Sequence, residues 1–75
     1  MDRTLEHQLA VRIGRHLRRH RTARGWSQSY LADVSGVPKA RISRYENGRV
    51  TPSMFTADRL AAALGLTLGE FTTGI

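Results

Sequence analysis

The chain has no cysteine, which excludes a disulfide framework and a thiolate metal site. No stretch approaches the ~20 apolar residues that a membrane-spanning helix needs, and the opening Met1-Asp2-Arg3-Thr4 has no apolar run of the secretory kind. A soluble, cytoplasmic protein with no membrane role is the expectation. Strand signals are scarce: there is no long β-branched alternation, and the Asn47-Gly48 pair follows a helical pattern instead of joining two strands. The six acidic residues are scattered, and no nucleophile sits beside a base. Neither an enzyme nor a cofactor pocket is expected in so small a chain.

What the chain does have is positive charge. Twelve Lys and Arg against six Asp and Glu leave +6 over 75 residues, and eleven of the twelve are Arg. Such a balance attracts polyanions, and arginine matches phosphate bidentately. The plainer alternative, a solvated basic surface, fits the charge alone equally well. Length allows one domain, residues 1–75, and 40% hydrophobic residues suffice for a small helical core. The expected fold class is all-α, a compact five-helix bundle.

Its centre is residues 27–48. Ser27 reads as the N-cap of a short helix running to about Ser35, with Leu31, Ala32 and Val34 apolar. Gly36 ends it in the left-handed conformation, and Pro38 suits the first position of a second helix. That helix ends near Asn47 and Gly48. Ile42 and Tyr45 can meet Leu31 and Val34, while Lys39, Ala40, Arg41 and Arg44 occupy the other side. Two helices joined this tightly, with a basic outward face, form a helix-turn-helix, which places its second helix in the DNA major groove. Ser27, Gln28 and Ser29 open the first of them with free N–H donors and small polar groups, an arrangement that holds phosphate as well as capping.

The remainder reads as support. Thr4 or Asp2 can cap a long first helix that ends at Gly25, with Leu5, Leu9, Ile13 and Leu17 as its apolar stripe. Arg12, Arg15, Arg18, Arg19, Arg21 and Arg24 crowd the rest of it; most of them only raise the field, though some can approach DNA from the side. Gly14 within that helix points to close packing. Trp26 and Leu31 fit a hydrophobic staple. Ser53 caps a fourth helix, with Met54, Ala57, Leu60, Ala61 and Leu64 facing in, and Gly65 stops it. Thr67 and Glu70 form a capping box for a fifth, whose Leu68 and Phe71 close the core, followed by a frayed end at residues 72–75. His16 and His20, four residues apart, lack a third ligand and read as surface or rim residues instead of a metal site.

The chain resembles the Cro and phage-repressor class, also called the xenobiotic-response-element family. The resemblance runs over residues 13–71 and rests on Ile13-Gly14, Leu17, Arg21, Gly25, Ser27-Gln28, Leu31-Ala32, Gly36-Val37, Ile42-Ser43, Tyr45-Glu46, Gly48, Pro52, Ala61 and Leu64-Gly65 at fixed offsets. It implies a lambda-repressor-like five-helix domain with helix 3 as the reader. It places Pro38, Lys39, Ala40 and Arg44 at base edges. Ser27, Gln28 and Ser29, with Arg41, Asn47 and Arg49, would lie on phosphates, and Arg21 would pair with a partly buried Glu46. Chemistry agrees for Lys39 and Arg44, donors suited to guanine, and for Ala40, which can meet a thymine methyl. Pro38 departs from the Ser or Thr common in the family, and His20 from an aliphatic residue.

The expected function is a transcriptional regulator, a repressor in preference to an activator, bound to double-stranded DNA as a homodimer on an inverted repeat. Candidate second-subunit surfaces are Leu66, Leu68, Phe71 and Ile75, or the N-terminal turns with Leu5 and Leu9. The alternative is an interaction protein, such as an antitoxin, whose main partner is another protein.

Overall fold

The computed structural model describes residues 3–75. Five helices follow in order: α1 (Arg3–Ala23), α2 (Gln28–Ser35), α3 (Lys39–Glu46), α4 (Met54–Ala63) and α5 (Leu68–Thr72). No strand occurs among the described residues. The radius of gyration, 11.5 Å, matches the ~11 Å of a globule this long.

Three helix starts carry the caps expected from sequence. Ser27 Oγ accepts the Tyr30 N–H at 3.0 Å and Ser53 Oγ the Thr56 N–H at 3.1 Å. Thr67 and Glu70 complete their reciprocal box, with the Glu70 N–H on Thr67 Oγ1 and the Thr67 N–H on Glu70 Oε1. Thr4 instead lies inside α1, and the alternative cap, Asp2, is outside the described residues. Pro38 stands one place earlier than expected. It is the N-cap of α3, with φ −56° and ψ 139°, and its carbonyl accepts the N–H groups of Arg41 and Ile42. A proline has no side-chain acceptor, so α3 begins without a side-chain cap.

Leu17, Leu31, Ile42, Leu60 and Phe71 are fully buried, and Val37, Tyr45, Ala61 and Leu64 complete the core. Around it α1 packs on α3, α2 on α3 and α4, and α4 on α5. Gly36, at φ 73°, makes the turn between α2 and α3 and donates its N–H to the Ala32 carbonyl. A side chain would be strained at that φ, which is why the turn needs glycine.

The face that α1 buries differs from the expected stripe. Leu5 and Leu9 are exposed, and Ile13 is half-buried; Ala10, Gly14, His16 and Leu17 are the buried residues. Residues four apart advance by about 40° around a helix, so a strict four-residue stripe winds off one face within a few turns. At Gly14 the crossing with α3 is so close that a Cβ would overlap the Tyr45 carbonyl oxygen and come within 3.0 Å of that of Glu46. Only glycine fits there without a shift of backbone.

Several side chains lie elsewhere than their spacing in the sequence predicts. Met54, at 77% exposure, lies outside the core, as does Val34. Phe71 is buried as expected, which removes it from the candidate second-subunit surface. His16 is buried, with Nε2 donating to the Phe71 carbonyl. The last residues are tied by hydrogen bonds from the Thr73 N–H to Gly69 and Glu70, and from Arg12 to the Ile75 carbonyl.

Candidate nucleic-acid interface

The short α3 divides cleanly into two sides. Ile42, Tyr45 and Glu46 are buried, while Lys39, Ala40, Arg41 and Arg44 are exposed, as are the flanking Pro38, Asn47 and Arg49. Residues three and four apart share a helix face, so burying 42, 45 and 46 turns 40, 41 and 44 outward. Pro38, Ala40, Arg41 and Arg44, with Tyr45 and Val50, line an open cleft of about 330 Å³. The structure therefore groups Arg41 with the residues expected at base edges. The three basic side chains of this face have no acidic partner within salt-bridge distance among the described residues.

Behind that face, Glu46 is fully buried at its side chain. Arg21 grips both its oxygens, Nε on Oε2 at 2.6 Å and Nη2 on Oε1 at 2.8 Å, and sends Nη1 to the Trp26 carbonyl at 2.7 Å. The ion pair implied by the resemblance is present and bidentate, the strongest geometry for such a pair. Two further donors reach Oε1: Arg18 Nε at 3.3 Å and Gln28 Nε2 at 3.1 Å. Burial alone pushes the Glu46 carboxyl up, but the hydrogen bonds of Arg21 and Gln28, the Arg21 charge and the Arg18 contact outweigh it and hold the group below its usual value. The hydrogen bond to Glu46 raises the Arg21 guanidinium, with burial opposing it and the carboxylate charge adding to it.

The residues expected on phosphate flank this hub. Ser27 and Ser29 are exposed, and the backbone N–H groups of Gln28 and Ser29 have no partner among the described residues. The side chain of Gln28 is half-buried on Glu46, which sequence reasoning missed. Asn47 hydrogen-bonds Ser43 Oγ through Nδ2 at 3.3 Å, while Arg49, among the described residues, is anchored only through its backbone, to the Arg44 carbonyl. Trp26 packs on the core that contains Leu31 and meets Tyr30 edge to face, centroids 4.9 Å apart, in the position expected of the staple. Arg18 is legible in the sequence only as one more helix-1 arginine; its spacing of three from Arg21 puts both on one side of α1.

Among the described residues no group of three His, Cys, Asp or Glu comes together to hold a metal, and no helix is long and apolar enough to cross a membrane.

A domain of packed helices that exposes one basic helix of a tight two-helix unit is a helix-turn-helix domain. The chain belongs to the helix-turn-helix family, whose model matches residues 17–71, a family of DNA-binding transcriptional regulators and not of enzymes. It is 33% identical over 54 residues to the SPbeta prophage-derived uncharacterized HTH-type transcriptional regulator YonR of Bacillus subtilis, a match over 72% of this chain and 50% of that protein. It is 38% identical over 58 residues to the competence pilus inhibition repressor of Acinetobacter baylyi, covering 77% of this chain and 53% of that one. The chain thus spans about half the length of these relatives. Among solved structures, the restriction-modification controller protein C.AhdI from Aeromonas hydrophila superposes with a TM-score of 0.78 at 35% identity, over 83% of this chain and 94% of that chain.

Proposed function

We propose that this protein represses transcription by occupying an inverted-repeat operator as a homodimer, with α3 in the major groove and α2 across the phosphate backbone. The observation that carries this reading is the composition of the exposed side of α3. Lys39, Arg41 and Arg44 stand there with no acid among the described residues to neutralise them, around the small Pro38 and Ala40 that allow close approach. Lys39 and Arg44 donate to guanine O6 and N7, and Ala40 meets a thymine methyl. The N-terminus of α2 with Ser27, Gln28 and Ser29, and Asn47 and Arg49 after α3, hold phosphates on either side, and Arg41 reaches either class of contact. Repression follows from occupancy, in keeping with the name of the Acinetobacter relative.

Two copies related by a two-fold axis would present their α3 helices about 34–36 Å apart, one turn of DNA. The surface best suited to hold them is the apolar one formed by Met54 and Phe55, 77% and 73% exposed, beside a groove lined by Ile13, Pro52, Leu68 and Ile75. The same exposed apolar surface, together with Leu5 and Leu9, supports the second reading, a protein partner.

Selection from a random duplex library at near-physiological salt tests the proposal. Enrichment of an inverted repeat, bound at least about a thousandfold more tightly than scrambled DNA, is the expected result. Binding that tracks salt alone with no enriched motif would overturn it.

A further inference from the structure

Six arginines lie on α1 or just beyond its end, between positions 12 and 24, and the structure sorts them. Arg12 donates to the Ile75 carbonyl, Arg24 to the carbonyls of His20 and Leu64, and Arg21 to Glu46 and Trp26. Arg15 and Arg19 stand exposed. Arg18 differs from all of these. Its Nε rests on Glu46 Oε1 at 3.3 Å, its side chain is 54% exposed, and neither terminal guanidinium nitrogen has a partner among the described residues.

Two features make that arrangement more than a surface ion pair. Arg21 already neutralises Glu46 through both oxygens, so the charge on Arg18 is surplus to the pair. The acceptor Arg18 uses, Oε1, is also the one that holds the Gln28 amide at 3.1 Å, so a single buried atom sets guanidinium and amide side by side. Further along the same side of α1, Val11 packs against Gly48, between Asn47 and Arg49; a Cβ on Gly48 would lie 2.9 Å from Val11 Cγ2. Val11 and Arg18 are seven residues apart, two turns on one helix face. This side of α1 therefore borders both ends of the proposed phosphate-contacting edge.

We propose that Arg18 is a further phosphate contact, supplied by α1 from outside the two-helix unit and aimed by the buried Glu46 carboxylate. Held by its Nε edge, the guanidinium presents its two terminal nitrogens to one phosphate, the bidentate geometry arginine favours. The proposal rests on the reading that the α2–α3 face binds duplex DNA.

The test compares the full chain with Arg18→Gln and Arg19→Gln, two variants with the same charge change on the same helix. Each is titrated against the selected duplex between 50 and 200 mM salt. Loss of one phosphate contact lowers the slope of log affinity against log salt by about 0.9, or a three- to fourfold smaller change in affinity over that range. Arg18→Gln is expected to show this with its base preferences intact, and Arg19→Gln to show much less. A scan with single neutral methylphosphonates should then find one position that weakens the wild type and leaves Arg18→Gln unaffected. Equal slopes for the two variants, altered base preference in Arg18→Gln, or no such position would overturn the assignment while leaving DNA binding in place. A wild type that binds no duplex would instead overturn the DNA reading, and this contact with it.

Discussion

His16 and His20 meet edge to face on one side of α1, ring centroids 4.7 Å apart, and both lean on the Phe71 ring, at 5.4 and 5.9 Å. Because His16 Nε2 donates to the Phe71 carbonyl, its proton sits on that nitrogen, and the imidazole fastens α5 to α1. Burial, then the charges of His16, Arg24 and Arg19, push His20 below its usual value of 6.5. Arg24 Nη1 also approaches His20 Nδ1 at 3.5 Å.

A lowered imidazole in the fold means that the unfolded chain takes up the proton first as pH falls. The stability tied to neutral His20 is complete above about 6.5 and is lost as pH drops through the lower folded value. The melting temperature should therefore fall between pH 7.5 and 5.5, and His20→Gln should flatten that decline. An unchanged profile in the variant would remove His20 from the account.

Arg21→Ala leaves a fully buried carboxylate without its main partner, and should cost about 3–5 kcal/mol, much of the ~4–11 kcal/mol available to a domain this size. Replacing both partners with apolar residues, Arg21→Met with Glu46→Leu, should recover most of the loss. Denaturant titration reads both outcomes; a double variant as unstable as the single one would show that the site needs the charge pair itself.

Gly14→Ala adds one methyl where the backbone of α3 already stands. Overpacking against backbone cannot be relieved by a rotamer change, so a cost at the upper end of about 1–3 kcal/mol is expected despite the better helix propensity of alanine. A thermal melt at or above that of the wild type would contradict the close crossing of α1 and α3.

Arg44→Ala should relax base preference at one operator position by about 1–3 kcal/mol and leave the others unchanged. The measurement is a competition series of single-base operator variants. A uniform loss at every position would reassign Arg44 to the phosphate backbone.

Met54→Ser with Phe55→Ser removes the most exposed large apolar side chains among the described residues. If they hold two copies together, the dimer should weaken at least tenfold, about 1.4 kcal/mol, while the monomer stays folded. Sedimentation velocity over a concentration series measures this, and an unaltered dimer would move the interface elsewhere.

Much of the candidate interface is legible in the sequence because its signals are local. Ser27, Ser53 and the Thr67–Glu70 box announce helix starts through hydrogen bonds that span three residues, and Gly36 announces a turn through its own backbone. The basic run at Lys39, Arg41 and Arg44 needs only the burial of Ile42 and Tyr45 to be turned outward. Leu5, Leu9 and Met54 mislead because a hydrophobic residue at helical spacing marks a face without saying whether anything packs against it. Gln28 reads as a phosphate ligand and is also a ligand of Glu46, a contact between residues eighteen apart.

Sequence alone thus determined the class of fold, the helix boundaries near their caps, and the side of α3 left to solvent, since each depends on a short stretch and on helical periodicity. The choice of Ala10, Gly14 and Leu17 over Leu5 and Leu9 as the buried face of α1 depended on where α3 crosses it. The convergence of Arg18, Arg21 and Gln28 on one carboxylate, and of His16 on Phe71, joins atoms supplied by separate helices. Those distances exist only once the helices have packed, because hydrophobic burial draws the elements together without regard to direction while hydrogen bonds and ion pairs demand a particular one.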